Sequence, residues 1–180
     1  SKDHVIKTIE EFRPNIFYMA CGILGEFDHN VAEVLAACNE RNILTVLDVT
    51  KPYGKDWSFI YEAMKYIDIM HVNTGELEGI TGIKDLKKGL VKLQEMGVKV
   101  PIVTDGSSGA LVLISKKFLS QPAFKVKAVD PTGAGDAFCA GLIKAVSEKR
   151  LTKEDLGHLS PEEMSEMLLF AQASGAACVE

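Results

Sequence analysis

The sequence predicts a three-layer α/β domain built around a mainly parallel sheet, and three observations support this fold class. Short β-branched or apolar runs alternate with longer stretches that carry apolar residues at helical spacing. Strand and helix repeated in this order indicate parallel strands joined by crossover helices. Two apolar runs near residue 120 break the rhythm, and we expect them to form an antiparallel hairpin at one edge of the sheet.

The apolar runs predict the strands. These are Ile16–Ala20, Leu44–Val49, Ile67–Asn73, Pro101–Asp105, Ala110–Ser115 and Phe124–Asp130. The last two form the predicted hairpin, because only residues 116–123 separate them.

The remaining periodic stretches predict helices. These are Ser1–Glu10, Val31–Arg41, Ser58–Tyr66, Leu86–Met96 and Gly135–Lys149, with a last helix that begins at Ser160. Residues 160–163 read Ser-Pro-Glu-Glu, which combines a capping box with proline at the first helical position.

Length and charge limit the classes of function. A chain of 180 residues with 47% hydrophobic and 25% charged residues has the size and composition of one globular domain. Its formal net charge of −5 argues against a nucleic-acid partner, which would require a basic surface. No apolar run reaches the roughly 18 residues of a membrane helix, and residues 1–10 are unlike a signal peptide.

The cysteines show no pairing pattern. Cys21, Cys38, Cys139 and Cys178 are scattered, and no C-x-x-C pair occurs among them. Since each lies in an apolar context, we expect buried, reduced thiols and therefore a cytoplasmic protein.

The most informative segment is residues 130–138, which read D-P-T-G-A-G-D-A-F. A predicted strand ends at Asp130, small residues form a turn, and an apolar helix begins near Gly135. Small residues allow close backbone approach, and a helix start offers unpaired N–H groups and the positive end of the helix dipole, a combination that binds phosphate. Asp136 could take a proton from an attacking hydroxyl beside this anion hole. The alternative is a tight turn in which Asp136 only compensates the helix dipole.

Residues 130–138, followed by Ala140-Gly141, resemble the C-terminal signature of the ribokinase-like (pfkB-type) carbohydrate kinases. The resemblance implies that Asp136 is the catalytic base and that the backbone of Gly133-Ala134-Gly135 forms the anion hole. It also implies that Asp130, with the carbonyl of Thr132, helps to hold a monovalent cation such as K⁺.

Two further motifs follow predicted strands. Asn73 and Glu76 match the N-x-x-E motif of this family, which implies that they organise Mg²⁺ through water. Without that resemblance, Asn73 would be a helix cap and Glu76 a carboxylate of the first turn. Residues 104–109 resemble the T-x-G-x-x-G loop of the family.

The loop and one helical residue are the implied nucleotide contacts. The resemblance implies that Thr104, Gly106 and Gly109 contact the phosphates and ribose, although a plain hairpin turn would have a similar sequence. Gln172 stands where the family has an asparagine near the adenine, but the small residues around it would also permit close helix packing. We expect all these loops to meet at the carboxyl ends of the parallel strands.

Together the motifs imply an ATP-dependent phosphotransferase that phosphorylates a hydroxyl of a sugar or related small alcohol with Mg²⁺. The alternatives are a nucleoside or vitamin kinase of the same superfamily and a non-catalytic nucleotide-binding regulator. The stretch from Asp48 departs from the D-x-N-x-R pattern of several sugar kinases, because Thr50 replaces asparagine and no arginine follows. The sequence assigns no role to His4, His29, His71 and His158.

The resemblance covers the chain, but the chain does not cover the family domain. Members normally begin with strands that carry a Gly-Gly segment, sugar contacts and a small β lid, and no Gly-Gly pair occurs here. We therefore expect residues 1–180 to be a single ribokinase-like kinase domain without the N-terminal substrate and lid strands and without its extreme C-terminal part. Such a domain exposes a sheet edge, which a second copy in a homodimer would cover.

Overall fold

The computed structural model describes residues 1–180 and contains one six-stranded sheet with the order β1-β2-β3-β4-β5-β6. The strands are β1 (Ile16–Cys21), β2 (Leu44–Val49), β3 (Ile69–Asn73), β4 (Val100–Thr104), β5 (Ala110–Ile114) and β6 (Lys117–Gln121). Strands β1 to β4 are parallel to one another, whereas β4, β5 and β6 pair antiparallel. Because crossovers between parallel strands are right-handed, strands that follow one another in order place their connecting helices on the same face of the sheet.

Six α-helices cover the sheet. They are α1 (Lys2–Phe12), α2 (Val31–Glu40), α3 (Thr74–Thr81), α4 (Leu86–Glu95), α5 (Ala134–Glu148) and α6 (Pro161–Val179), and 3₁₀ segments span Gly25–Asn30, Trp57–Tyr66, Gly106–Ser108 and Asp155–Gly157. None of these helices combines the length and apolar character that crossing a bilayer would require.

The sheet separates two apolar cores. On one face, Leu47 and Met70 pack with residues of α2, α3, α4 and the 3₁₀ segment 57–66. On the other face, Val46, Ile69 and Ile102 pack against α5 and α6. Successive strand residues enter opposite cores because the side chains of a strand alternate between the two faces of the sheet. The predicted three-layer α/β architecture is therefore confirmed.

Small residues face each other where α5 and α6 pack together. A Cβ atom placed on Gly141 would stand 2.5 Å from the Ser174 hydroxyl oxygen and 3.0 Å from the Cα atom of Ala171. The end of α6 also bonds to the segment that precedes α5, since the Val129 amide donates to the Val179 carbonyl at 2.7 Å. This packing fixes where α5 begins.

The structure corrects the predicted edge hairpin. Residues 124–130 form no strand, and the partner of β5 is β6. The connection has only two residues, Ser115 and Lys116, with φ of 47° and 63°. Such a two-residue turn normally carries asparagine or glycine, so its sequence offered no turn signal and the strand was predicted too late in the chain.

Three smaller predictions also need correction. The segment predicted as the helix Ser58–Tyr66 is a 3₁₀ helix, and α3 was indicated only by the alternative interpretation of Asn73 as a helix cap, which the structure bears out. All four cysteines are free, as expected, but Cys178 is exposed, whereas the other three are buried. Cys178 belongs to the last turn of α6, where the residues face the loop before α5 and not the core.

A buried ionic cluster lies at the end of the sheet where the parallel strands begin. The Asp68 carboxylate is 1% exposed and accepts hydrogen bonds from the Thr45 amide at 2.8 Å and the Thr45 hydroxyl at 3.0 Å. The ammonium groups of Lys99 and Lys153 lie 2.8 Å and 3.1 Å from it. Since Lys153 follows α5 in the chain, the cluster ties the α5–α6 connection to the start of β2 and β3.

We expect Asp68→Ala to lower the free energy of unfolding by about 3–5 kcal/mol, because it leaves a buried lysine and a buried amide without their acceptor. Urea denaturation of the wild type and the variant measures this difference. Asp3→Ala, on the exposed start of α1, is the control and should change stability by less than about 0.5 kcal/mol. A loss for Asp68→Ala as small as that of the control would contradict the role of the cluster.

Candidate active site at the carboxyl ends of the strands

The structure brings the predicted site loops together. Asn73 and Thr104 are register partners at the ends of β3 and β4. The start of α5 lies over the same end of the sheet, since a Cβ atom on Gly135 would stand 3.4 Å from Cε1 of His71 in β3. The motifs that follow β3 and β4 and the glycine turn therefore share one edge, where open α/β sheets bind ligands.

The glycine turn leaves two backbone donors free. Gly133 precedes α5 with a φ of 82°, a left-handed conformation that favours glycine. The Ala134 amide donates to the Pro131 carbonyl at 3.2 Å, and the Ala137 amide donates to the Gly133 carbonyl at 2.9 Å. The amides of Gly135 and Asp136 have no hydrogen-bond partner. Two free N–H groups at the positive end of a 15-residue helix are an arrangement that suits an anion.

The Asp136 side chain is exposed in the first turn of α5, next to these two amides. The charge of Asp136 also affects the pKa of another side chain of the site. Burial raises the pKa of Tyr18 in β1 above its ordinary value, and the charges of Asp48 and Asp136 raise it further. The site thus collects negative charge on side chains around a positive backbone dipole.

Asn73 and Glu76 form the capping box of α3. The Asn73 side chain accepts from the Glu76 amide at 2.9 Å, and Glu76 Oε2 accepts from the Asn73 amide at 2.8 Å. Burial raises the pKa of Glu76, and the nearby charge of Asp48 adds to the effect. Since Oε1 of Glu76 makes no hydrogen bond, the pair can cap the helix and still offer an oxygen to a cation or its water.

The loop after β4 has one glycine that the backbone requires. Gly109 has a φ of 102°, and a Cβ atom there would stand 2.1 Å from the Gln121 carbonyl oxygen. Gly106 has a φ of 47°, and its Cβ position is open to solvent. Thr104 is half-buried, and its hydroxyl lies 3.0 Å from Nε2 of His71.

Asp130 and Thr132 lie in the exposed segment that leads into the glycine turn. Asp130 Oδ1 accepts from the Thr132 amide at 2.8 Å, and this hydrogen bond lowers the pKa of Asp130. The Thr132 carbonyl lies 3.8 Å from the Cys178 sulfur. The turn is therefore braced from its own chain and from the last turn of α6.

Gln172 is the one predicted site residue with an unsatisfied buried group. It lies in α6 and is 8% exposed, and its Nε2 atom has no hydrogen-bond partner. A buried amide donor without a partner is rare in folded proteins.

His71, to which no sequence motif assigned a role, is the centre of a polar row under α5. Its Nδ1 lies 2.9 Å from Oδ1 of Asp48 in β2, and its ring stacks on Phe138 in α5 with centroids 5.0 Å apart. Cys139 lies beside the pair, and one ligand atom of each of the three residues lies within 4.8 Å of the others. The available signal was a polar residue inside each of two otherwise apolar strand runs.

Comparison with known proteins identifies the family of the chain. Residues 3–180 match the profile of the pfkB family carbohydrate kinases. Fructokinase-2 of Oryza sativa subsp. japonica is 35% identical over 160 residues, which are 88% of this chain and 42% of that protein. Ribokinase of Arabidopsis thaliana is 31% identical over 157 residues, which are 82% of this chain and 37% of that protein.

Solved structures show the same fold. The Arabidopsis thaliana ribokinase complexed with ribose and ATP has a TM-score of 0.77 and 26% identity, and the match covers 98% of this chain and 53% of that one. The Xylella fastidiosa fructokinase with bound ATP has a TM-score of 0.81 at 18% identity, covering 99% and 57%. The chain spans about half the length of these structures and less than half of the curated relatives named above. The family match over nearly every residue shows that the chain belongs to the pfkB family of carbohydrate kinases.

Proposed function

We propose that this chain binds ATP with Mg²⁺ and takes part in phosphoryl transfer to an alcohol group of a sugar. The observation that carries the proposal is the pair of unpartnered amides of Gly135 and Asp136, which lie beside the Asp136 carboxylate at the positive end of α5. Transfer of a phosphoryl group depends on positioning and on stabilising developing charge more than on covalent chemistry. Free N–H groups stabilise that charge, and an adjacent carboxylate accepts the proton of the attacking hydroxyl.

The Gly133-Ala134-Gly135 turn is the proposed anion hole, and Asp136 is the proposed general base. Asp136 is suited to this role because it is exposed and free of side-chain hydrogen bonds, so an incoming hydroxyl can reach it. The amides need no reorganisation to receive a phosphate, since the N–H groups in the first turn of a helix point out of its N-terminal end.

The residues present fit a divalent cation near Glu76. This carboxylate keeps one free oxygen and is half-buried beside the negative charge of Asp48, an oxygen-rich setting that suits Mg²⁺ and its retained waters. Such an ion would neutralise charge on the phosphates. We assign Asn73 and Glu76 to it, and we assign Asp130 and the Thr132 carbonyl to a monovalent cation such as K⁺.

The nucleotide would extend from the glycine turn across the loop after β4 to α6. We assign Thr104, Gly106 and Gly109 to the phosphates and ribose, because Gly106 leaves open space at the end of the strand. Gln172 is assigned to the adenine, whose ring nitrogens are acceptors for the unpartnered Nε2 donor. Each residue that the sequence predicted to contact the nucleotide therefore has a proposed place along ATP.

Two classes of relative suggest which alcohol accepts the phosphoryl group. Curated relatives include fructokinases and a ribokinase, but also a cytidine kinase of Thermococcus kodakarensis that is 34% identical over 105 residues. We propose a sugar as the substrate and a nucleoside as the second candidate. We further propose that residues outside 1–180 complete the acceptor site, since one side of the edge strand β1 has no partner strand and Tyr18, Ile23 and Leu24 are exposed near it.

Asp136→Asn is expected to lower the turnover number by about 10²–10⁴, the range for a lost general base. Affinity for MgATP should stay close to that of the wild type, because the proposed phosphate contacts are backbone amides. Calorimetric titration of the 180-residue chain measures binding. Activity assays of the longest polypeptide that contains this sequence, with fructose, ribose and nucleosides as acceptors, measure phosphoryl transfer.

The control for this prediction is Glu148→Gln, which neutralises an exposed carboxylate in the last turn of the same helix. It should leave turnover unchanged. Full turnover by Asp136→Asn would refute the base assignment, and a wild type that binds MgATP but transfers to no acceptor would favour a nucleotide-binding regulator.

Glu76→Gln is expected to raise the Mg²⁺ concentration needed for nucleotide binding while the fold is retained, because glutamine can also close a capping box. The raised pKa of Glu76 means that its ionisation opposes folding at pH above the folded pKa. This penalty disappears as the pH falls below the unfolded value near 4.5. The variant should therefore be at least as stable as the wild type at pH 7, and the difference should shrink on acidification.

Thermal melts between pH 7 and pH 4 and Mg²⁺ titrations at constant ATP test both parts. Glu78→Gln, an exposed carboxylate on the same helix, is the control and should change neither quantity. An unaltered Mg²⁺ dependence in Glu76→Gln would count against the metal assignment.

A further inference from the structure

We infer that His71, held by Asp48, positions the hydroxyl of Thr104 so that its oxygen is presented to the nucleotide only as a hydrogen-bond acceptor. The inference rests on the proposed nucleotide-binding function of Thr104 and adds a residue to it. It begins from two distances, 2.9 Å between Asp48 Oδ1 and His71 Nδ1 and 3.0 Å between His71 Nε2 and Thr104 Oγ1. The three residues belong to the neighbouring strands β2, β3 and β4 and lie on the face covered by α5.

The ring of His71 has little freedom to move. It is 3% exposed and stacks on Phe138, with an interplanar angle of 29°. A Cβ atom built on Gly135 would stand 3.4 Å from its Cε1 atom, so the first turn of α5 leaves little more than the width of a glycine beside the ring. The imidazole is therefore clamped between the sheet and the first turns of α5, and a shift of the ring would be felt at the glycine turn.

Titratable groups on three elements face the ring. They are Asp48 from β2, Glu76 from α3 and Cys139 from α5. Burial strongly raises the pKa of Cys139, and the charge of Asp48 adds to this, so the thiol stays neutral. Both ring nitrogens of His71 have protein partners, so the cluster is satisfied without a metal ion.

The direction of each hydrogen bond follows from donor and acceptor inventories. An ionised carboxylate only accepts, so Nδ1 of His71 carries the proton and donates to Asp48. In the neutral ring Nε2 is then an acceptor, and the Thr104 hydroxyl donates to it. With its proton committed, Thr104 has only lone pairs left for a ligand. A donor on the bound nucleotide, such as a ribose hydroxyl, suits this oxygen directly, and a phosphate oxygen would reach it through a bridging water.

A double-mutant cycle tests whether His71 acts through Thr104. His71→Asn keeps an amide near the position of Nδ1 for Asp48 but is too short to reach Thr104, and Thr104→Val removes the hydroxyl at constant shape. Each change should weaken MgATP binding roughly three- to tenfold, the range for one hydrogen bond. The double variant should bind no more weakly than Thr104→Val alone.

Conservative variants separate positioning from general damage. His71→Gln is long enough to accept from Thr104, and Thr104→Ser keeps the hydroxyl, so both should recover most of the wild-type affinity. His158→Asn, at an exposed histidine, is the control and should have no effect. Circular dichroism confirms that each variant is folded before its affinity is measured.

Long-range ¹H–¹⁵N correlation of the histidine rings reads the tautomer in the absence of nucleotide. The expected result is a neutral His71 protonated at Nδ1. An imidazolium, or a ring protonated at Nε2, would overturn the inference, as would additive losses in the cycle. A wild type with the expected tautomer that fails to bind MgATP would instead overturn the proposed function.

Discussion

The right-handed crossover is the constraint on which the rest of this structure depends. Strands β1 to β4 follow one another in space as they do in sequence, so their connections all pass over one face of the sheet. The opposite face is left for α5 and α6, which bury Phe138 and Leu142 against it. Because the four strands are parallel, the loops that follow them open at the same edge as the start of α5. The site is a consequence of the topology before any catalytic residue is considered.

Several residues of the candidate site combine a structural role with a proposed chemical role. Asn73 and Glu76 close the capping box of α3 and still leave a carboxylate oxygen free. The left-handed Gly133 starts α5 and frees the amides that follow it. For the N-x-x-E and D-P-T-G-A-G-D motifs, the structural and the functional interpretations of the sequence are therefore compatible, because the helix starts themselves supply the groups that we propose bind ligands.

The two ends of the sheet use buried polar groups differently. At the end where the strands begin, Asp68 gathers two lysines and the Thr45 amide into a closed ionic cluster that holds the α5–α6 connection. At the end where they finish, Asp48 and His71 form a hydrogen-bonded row that finishes on the Thr104 hydroxyl, which is half exposed. The first arrangement is complete within the protein, whereas the second ends on a group that a ligand can reach.

The sequence by itself determined the fold class, five of the six strands, the helix starts with strong caps, and the motif residues of the candidate site. These features are local, since each depends on spacing within about ten residues. Tertiary structure decided the rest. Serine and lysine do not predict the left-handed conformation that Ser115 and Lys116 adopt in the turn. Because of this turn, the last strand is β6 and lies earlier in the chain than the sequence predicted. The role of His71 depends on Asp48 and Thr104, 23 and 33 residues away, and no pattern along the chain reveals such a pairing. It arises only when three parallel strands are placed in register and α5 is packed over their ends.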